Sequence, residues 1–393
     1  MKSTSAEQIK HKAREQREEL LKLCKKLVEF ETPSNEPETL EPAFDFLQEQ
    51  FHQLDFYSKR LTDSETGGHL YLRPNQREKH SPRQLLLGHV DTVWETGTLQ
   101  ESPFEIDEDS GRASGPGLFD MKAGIAQLIV SLKIIRDLGL NIPVQPLIFL
   151  NSDEEIGSPQ SSRYISCLAK FSNRCFVLEP AMGPDGKLKT ARKGVGHFTI
   201  DIEGRASHAG ISPEKGSSAI LELSHVIQNL NELNNPENGI TINVGVIEGG
   251  TRSNVVASSS EADVDVRVKT QTQAREIEEK IRNLEPEADD VELSIEGHFR
   301  RPPMERTEQN RQLWNRVKQR GIELGFELDE AMSGGASDGN TASQHTPTLD
   351  GLGPIGDGAH ETYEYIEING LVERTALLVS LLTMPPLEEN SCE

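Results

Sequence analysis

Cysteine is scarce in this chain: four in 393 residues, Cys24, Cys167, Cys175 and Cys392, with no CxxC spacing among them. That excludes a disulfide framework and a thiolate metal site, and it points to reduced thiols in a cytoplasmic setting. No apolar run approaches the ~20 residues of a membrane-spanning helix. The N-terminal stretch is charged and amphipathic (Leu20, Leu21, Cys24, Leu27, Val28) and lacks a signal-peptide core. Positive charge is also in short supply, with 41 Lys and Arg against 64 Asp and Glu, a net charge of −23. A chain of that sign is not expected to bind nucleic acid or an anionic membrane surface, although a local pocket can still take an anionic substrate. Internal repeats and low-complexity tracts are absent too.

What is present divides into two textures. Gln84–Gly88, Leu147–Leu150 and Cys175–Leu178 are continuous apolar runs, the pattern of strands buried on both faces. A helix is predicted from about Met121 to Leu138, with Ile125, Leu128, Ile129, Leu132 and Ile135 on one stripe. Together these predict an α/β domain with a largely parallel sheet. From His197 the pattern alternates instead. The order is strand His197–Glu203, helix Gly216–Leu233, strands Ile240–Ile247 and Ala262–Val268 around a Gly-rich turn, helix Gln273–Leu284 and strand Val291–Ile295. That βαββαβ order is ferredoxin-like. His298–Glu305 reads as a linker, and helices near Gln309–Leu324 and Ile368–Leu382 return to the first style. The expected organisation is a discontinuous larger domain, 1–194 and 305–393, interrupted by a small domain at 195–304.

The polar residues gather where the buried strands end. His89 and Asp91 follow the first run, Asp153-Glu154-Glu155 the second and Glu179 the third, while Asp120 precedes the long helix. In open α/β sheets ligands bind beyond the carboxyl ends of the strands. Singly, each residue has an ordinary explanation: Asp120 as a helix N-cap, Asp153–Glu155 as a solvated turn, His89 as a hydrogen-bonded structural histidine. Several carboxylates meeting at one edge would repel, however, unless protonated or neutralised by cations. Mixed His and carboxylate ligands suit Zn²⁺, with Co²⁺ or Mn²⁺ also acceptable. Asp91, two residues beyond His89 on an extended chain, shares its side and can accept the other imidazole N–H.

Gly88-His-Val-Asp-Thr-Val93, Gly117-x-x-Asp-Met-Lys-x-Gly124, Asp153-Glu-Glu-x-Gly157 and Leu178-Glu-Pro180 resemble the successive motifs of the M20 metallopeptidases, the family of carboxypeptidase G2 and the aminoacylases. Ala206-Ser-His208-Ala-Gly210, Asp265-Val-Arg267-Val268, Gly334-Gly-Ala-Ser-Asp338 and Gly356-Asp-Gly-Ala-His360 extend the likeness towards the C-terminus. The resemblance implies a zinc-exopeptidase-like fold and two divalent metal ions per chain. Asp120 would bridge them, His89 and Glu179 would complete one site, and Glu155 and His360 the other. It implies that Glu154 is the general base and that a cis peptide joins Asp120 to Met121. In the small domain, which would act as a lid and form a homodimer, Arg267 and Asn254 would hold the substrate's free carboxylate, helped by the backbone near Gly335. His208 would cross from the partner subunit to stabilise the oxyanion.

Glutamate at 179 goes, by the same resemblance, with carboxypeptidases and aminoacylases, so the expected substrate is a small peptide or N-acyl amino acid. A biosynthetic deacylase, acting on acetylornithine or a succinylated diamino acid, is the alternative enzyme. An inactive metal-binding homologue would not need Glu154. Ser152 and Ser207 lack a triad setting. His11, His52, His69, His80, His225, His298 and His345 match no motif and read as surface or structural, with Lys193 and His197 undecided.

Overall fold

In the computed structural model the apolar runs become strands covered on both faces. Residues 6–63, 65–76, 78 and 81–387 are described; His80 and Cys392 lie outside them. The chain separates into two compact units. One comprises the chain up to Ala191, Arg306–Ser333 and the chain from Ser337 on, and the other Arg192–Glu305 with Gly334–Ala336.

The larger unit is built on β1 (Phe56–Leu61), β2 (His69–Pro74), β3 (Arg83–His89), β4 (Gln145–Asn151), β5 (Arg174–Val177) and the short strand Thr348–Leu349. Their order across the sheet is β1-β2-β4-β3-β5 and then Thr348–Leu349. β4, β3, β5 and the short strand run parallel, and β1 and β2 add an antiparallel edge. Parallel pairing puts the carboxyl ends together: His89 stands beside Asn151, and Leu87 beside Val177. Two residues past Val177, Glu179 therefore arrives at the level of His89.

Helix α1 (Ala123–Asp137) is buried along nearly its whole length and packs with the C-terminal helix Ile368–Leu382. It approaches the β5 end so closely that a Cβ on Gly124 would lie 2.3 Å from the Leu178 carbonyl oxygen. Only glycine allows this approach, which seats the start of α1 against the Leu178-Glu179 segment. Behind the sheet, the fully buried Arg174 guanidinium donates to Gln84 Oε1 at 2.9–3.0 Å and to the carbonyls of Leu381, Met384 and Pro385. It thereby satisfies groups that the end of a helix leaves unpaired. Arg174→Met should cost about 2–4 kcal/mol of stability by stranding those acceptors. A urea midpoint equal to the parent's would contradict this.

The smaller unit contains β6 (Gly194–Glu203), α2 (Ala219–Glu232), β7 (Thr241–Gly249), β8 (Ser259–Val268), α3 (Gln271–Arg282) and β9 (Glu292–Arg301). Its antiparallel sheet has the order β7-β8-β6-β9, the ferredoxin-like arrangement. Phe198, Ile200, Ile202, Val264, Val266 and Val268 form its core with the two helices. One expectation fails here: His298–Arg301 is the end of β9, paired with β6, and not a linker. Among the described residues no helix is long and apolar enough to cross a membrane.

Candidate metal and active site

The segment before α1 is not a simple helix start. Residues Leu118–Lys122 form a wide turn in which the Lys122 N–H reaches back to the Gly117 carbonyl at 3.0 Å. Asp120 has φ −114° and ψ 97°, and a cis peptide joins it to Met121. Asp120 is thus no N-cap, since the helix begins at Ala123 with Lys122 as its cap residue. Its carboxylate instead faces two histidines, with His89 Nε2 3.1 Å from Oδ1 and His360 Nε2 3.7 Å from Oδ2. His360 sits in a turn with φ +65° and lies 3.1 Å from Glu155. Glu179 lies 3.5 Å from His89 Nε2.

Two groups of three side chains place ligand atoms within 4.8 Å of one another: His89, Glu154 and Glu179, and His89, Asp120 and Glu155. The sequence-derived set His89, Asp120, Glu154, Glu155, Glu179 and His360 is therefore gathered in one place. Proximity alone makes Glu154 as much a ligand as a base.

Asp91 has two tasks. Its backbone carbonyl, at 2.9 Å from His89 Nδ1, is the nearer partner of the ring, and its carboxylate stands at 3.5 Å. The carboxylate accepts the backbone N–H of Glu154 at 3.3 Å and of Glu155 at 3.2 Å, together with the Ser34 hydroxyl at 2.8 Å. One buried carboxylate thus orients both the histidine and the Glu154-Glu155 turn. On the far side of that turn, Asp338 accepts from Ser158 Oγ at 2.5 Å and Asn151 Nδ2 at 2.7 Å.

The electrostatics are those of crowded acids. Burial, with the Asp120 and Asp91 charges adding to it, pushes Glu155 up to about 7 despite its bond to His360. His360 is raised to about 9, chiefly by its hydrogen bond to Glu155 and against its own burial. Burial would lower His89, but hydrogen bonds to Asp120, Asp91 and Glu179 hold it well above its usual value. Glu155, His360 and His89 thus all hold protons more tightly than usual, whereas Asp91 and Asp120, beside His89, are lowered despite their burial. Glu155 Oε1 is moreover buried with no hydrogen-bond partner. An orphaned carboxylate oxygen among mixed His and carboxylate donors fits a divalent cation in place of those protons.

Sequence reasoning missed Glu364. This side chain, 3% exposed, accepts the N–H groups of Gly117, Phe119 and Asp120 and the Trp94 indole N–H. Its only signal was an acid four residues beyond His360. Ser34 and Asn151 were missed as well.

In the smaller unit, His208 and Asn254 are neighbours: an isolated bridge joins His208 to Val255, and the Ala209 N–H donates to the Asn254 carbonyl at 3.0 Å. Both are exposed. Arg267 pairs with Asp265 at 2.9 Å and donates to the Gly334 carbonyl at 3.0 Å, while Gly335 accepts from Arg192 at 3.1 Å. His197 pairs with Asp263 at 3.4 Å. His69 is not at the surface but fully buried between the Phe149 and Tyr164 rings.

Parallel strands that deliver histidines and carboxylates to one edge suit a hydrolase, and the comparisons with known proteins agree: the chain is a hydrolytic enzyme. Residues 85–384 match the model of peptidase family M20/M25/M40, and the chain belongs to that family. It is 29% identical to carboxypeptidase G2 of Pseudomonas sp. (strain RS-16), over 92% of this chain and 88% of that one. Aminopeptidase PepT from Bacillus cereus shares the fold with a TM-score of 0.77 at 20% identity, covering 93% of this chain and 98% of that one. So does the YXEP protein of Bacillus subtilis, described as a dinuclear metal binding peptidase, with a TM-score of 0.66 at 14% identity over 94% and 98%.

Proposed function

We propose that the chain is a two-metal carboxypeptidase or N-acyl amino acid hydrolase that works in the cytoplasm as a homodimer. The observation that carries this reading is the convergence of His89, Asp120, Glu155, Glu179 and His360 around Glu154. The likeness to carboxypeptidase G2 over most of both chains supports the carboxypeptidase side of it. His89, Asp120 and Glu179 would hold one ion, and Glu155, His360 and the shared Asp120 the other, with Zn²⁺ the expected metal and Co²⁺ or Mn²⁺ able to substitute. When bound, such ions polarise a substrate carbonyl and make water more acidic.

The chain's own residues do the rest. Glu154 takes a proton from the attacking water and passes it to the leaving nitrogen. His208 Nδ1 accepts the Gly210 N–H at 3.1 Å, which leaves the neutral ring's hydrogen on Nε2. From the partner subunit, that N–H would donate to the oxyanion of the tetrahedral intermediate. Support for pairing through the smaller unit comes from β7, an edge strand carrying exposed Val246 and Ile247, and from exposed Ile220 and Leu221 on α2.

Arg267, with Asn254 and the backbone at Gly335, would bind the free α-carboxylate of the substrate. Arg267→Ala should lower kcat/KM for acyl amino acids by roughly ten- to a hundredfold, the worth of a charge-assisted hydrogen bond of about 1.5–3 kcal/mol. The matching α-amides should be little affected, because they never engage the guanidinium. If Arg267 merely pairs with Asp265, both substrate types will respond alike and only stability will shift slightly.

A further inference from the structure

Four donors converge on Glu364, and they come from segments that also carry the metal-site residues. Oε1 accepts the N–H groups of Phe119 at 2.7 Å and Asp120 at 3.0 Å. Oε2 accepts the Gly117 N–H at 2.9 Å and Trp94 Nε1–H at 2.9 Å. Trp94 lies five residues after His89, and Glu364 itself closes the turn that holds His360, its N–H bonded to Glu361 O at 3.0 Å. The short strand Tyr365–Glu367 pairs with Arg112–Ser114, setting Tyr365 opposite Ser114. That pairing brings residue 364 beside the Gly115–Gly117 turn. Gly117 has φ +68° there, which aims its N–H at the carboxylate.

We infer that Glu364 is a positioning residue for the metal centre: by accepting four hydrogen bonds it holds the Asp120 loop, the Trp94 end of the His89 segment and the His360 turn in one register. A carboxylate is the side chain that suits this place. Four N–H donors need two oxygens with no hydrogen of their own, and glutamine offers only one. Placing an anion close to Asp120 is costly, because burial and then the Asp120 charge work against ionisation. The donors offset part of that cost, and the carboxyl is still raised above its usual value. Partners of this kind behind a ligand are worth about 10- to 100-fold in metal affinity.

The inference rests on the metal-site reading above, and the test separates the two. Zn²⁺ affinity is measured by competition with a chromophoric chelator for the parent, Glu364→Gln, Glu364→Asp, Trp94→Phe/Glu364→Gln and Glu222→Gln, with a thermal midpoint for each. Glu222 is the control: it is a buried carboxylate of the smaller unit that accepts the N–H groups of Glu287 and Ala288 at 2.7 and 3.2 Å.

Glu364→Gln turns an amide NH₂ towards two donors and should bind Zn²⁺ at least about tenfold more weakly. Removing the indole donor in the double variant should recover part of that loss. Glu364→Asp keeps the charge but withdraws it by one methylene, so it should weaken binding too and serves if the glutamine variant fails to fold. Glu222→Gln should lower the midpoint and leave affinity unchanged. A parent that holds no metal overturns the site reading and this inference with it. Parent-like affinity in a folded Glu364 variant, or equal weakening in Glu222→Gln, overturns this inference alone.

Discussion

Glu154→Gln is expected to lower kcat by at least about 10²-fold while the chain keeps both metal ions, because a positioned general base contributes about that much. The backbone around it should not move. The Glu154 N–H is anchored on Asp91 Oδ1 at 3.3 Å and the neighbouring Glu155 N–H on Oδ2 at 3.2 Å, and neither bond involves the substituted carboxylate. Two adjacent glutamates are thus fixed at the main chain, and their side chains are free to differ in role. Glu155 reaches His360 at 3.1 Å and belongs to the proposed ligand set. Glu154 lies within reach of His89 and Glu179, so geometry alone also admits it as a ligand. Activity and metal content must therefore be read on the same preparation. Loss of an ion alongside activity would make Glu154 a ligand, and near-parent turnover would remove it from the mechanism.

Legibility in the sequence followed burial. β3, β4 and β5 are covered on both faces, so they appear as unbroken apolar runs, and the candidate ligands that follow them directly stand out with them. β9 is an edge strand whose apolar positions Leu293, Ile295 and Phe299 are only half-buried; Gly297 interrupts their alternation, so its last four residues read as linker together with Pro302 and Pro303. The antiparallel edge β1 was missed for a related reason, having only Phe56 buried. Glu364 was beyond reach for another. Three of its four partners are backbone N–H groups, which every non-proline residue carries, so nothing in the sequence marks them. The start of α1 reads two residues early, at Met121, because that side chain continues the apolar stripe of the helix into the wide turn at Leu118–Lys122.

Chelation should abolish activity, Zn²⁺, Co²⁺ or Mn²⁺ should restore it, and Asp120→Ala should be the substitution that metal cannot rescue. Among the described ion pairs, Asp120 is the carboxylate facing both histidines, Oδ1 towards His89 and Oδ2 towards His360. In those same pairs Glu179 and Asp91 approach His89, and Glu155 approaches His360. A shared ligand should therefore affect both ions, whereas His89→Ala and His360→Ala should each weaken mainly one. Outer partners of metal ligands already cost about 10- to 100-fold when removed, so losing the shared ligand should exceed 100-fold in activity. The electrostatics sharpen this expectation. The Asp120 charge helps to raise both Glu155 and His360. Its removal should leave Glu155 easier to ionise, so a failure to bind metal could not be blamed on a protonated Glu155. Metal content after dialysis against buffered Zn²⁺ decides the matter. A parent with at most one tight ion per chain ends the two-metal account, and two ions retained by Asp120→Ala end its role as the bridge.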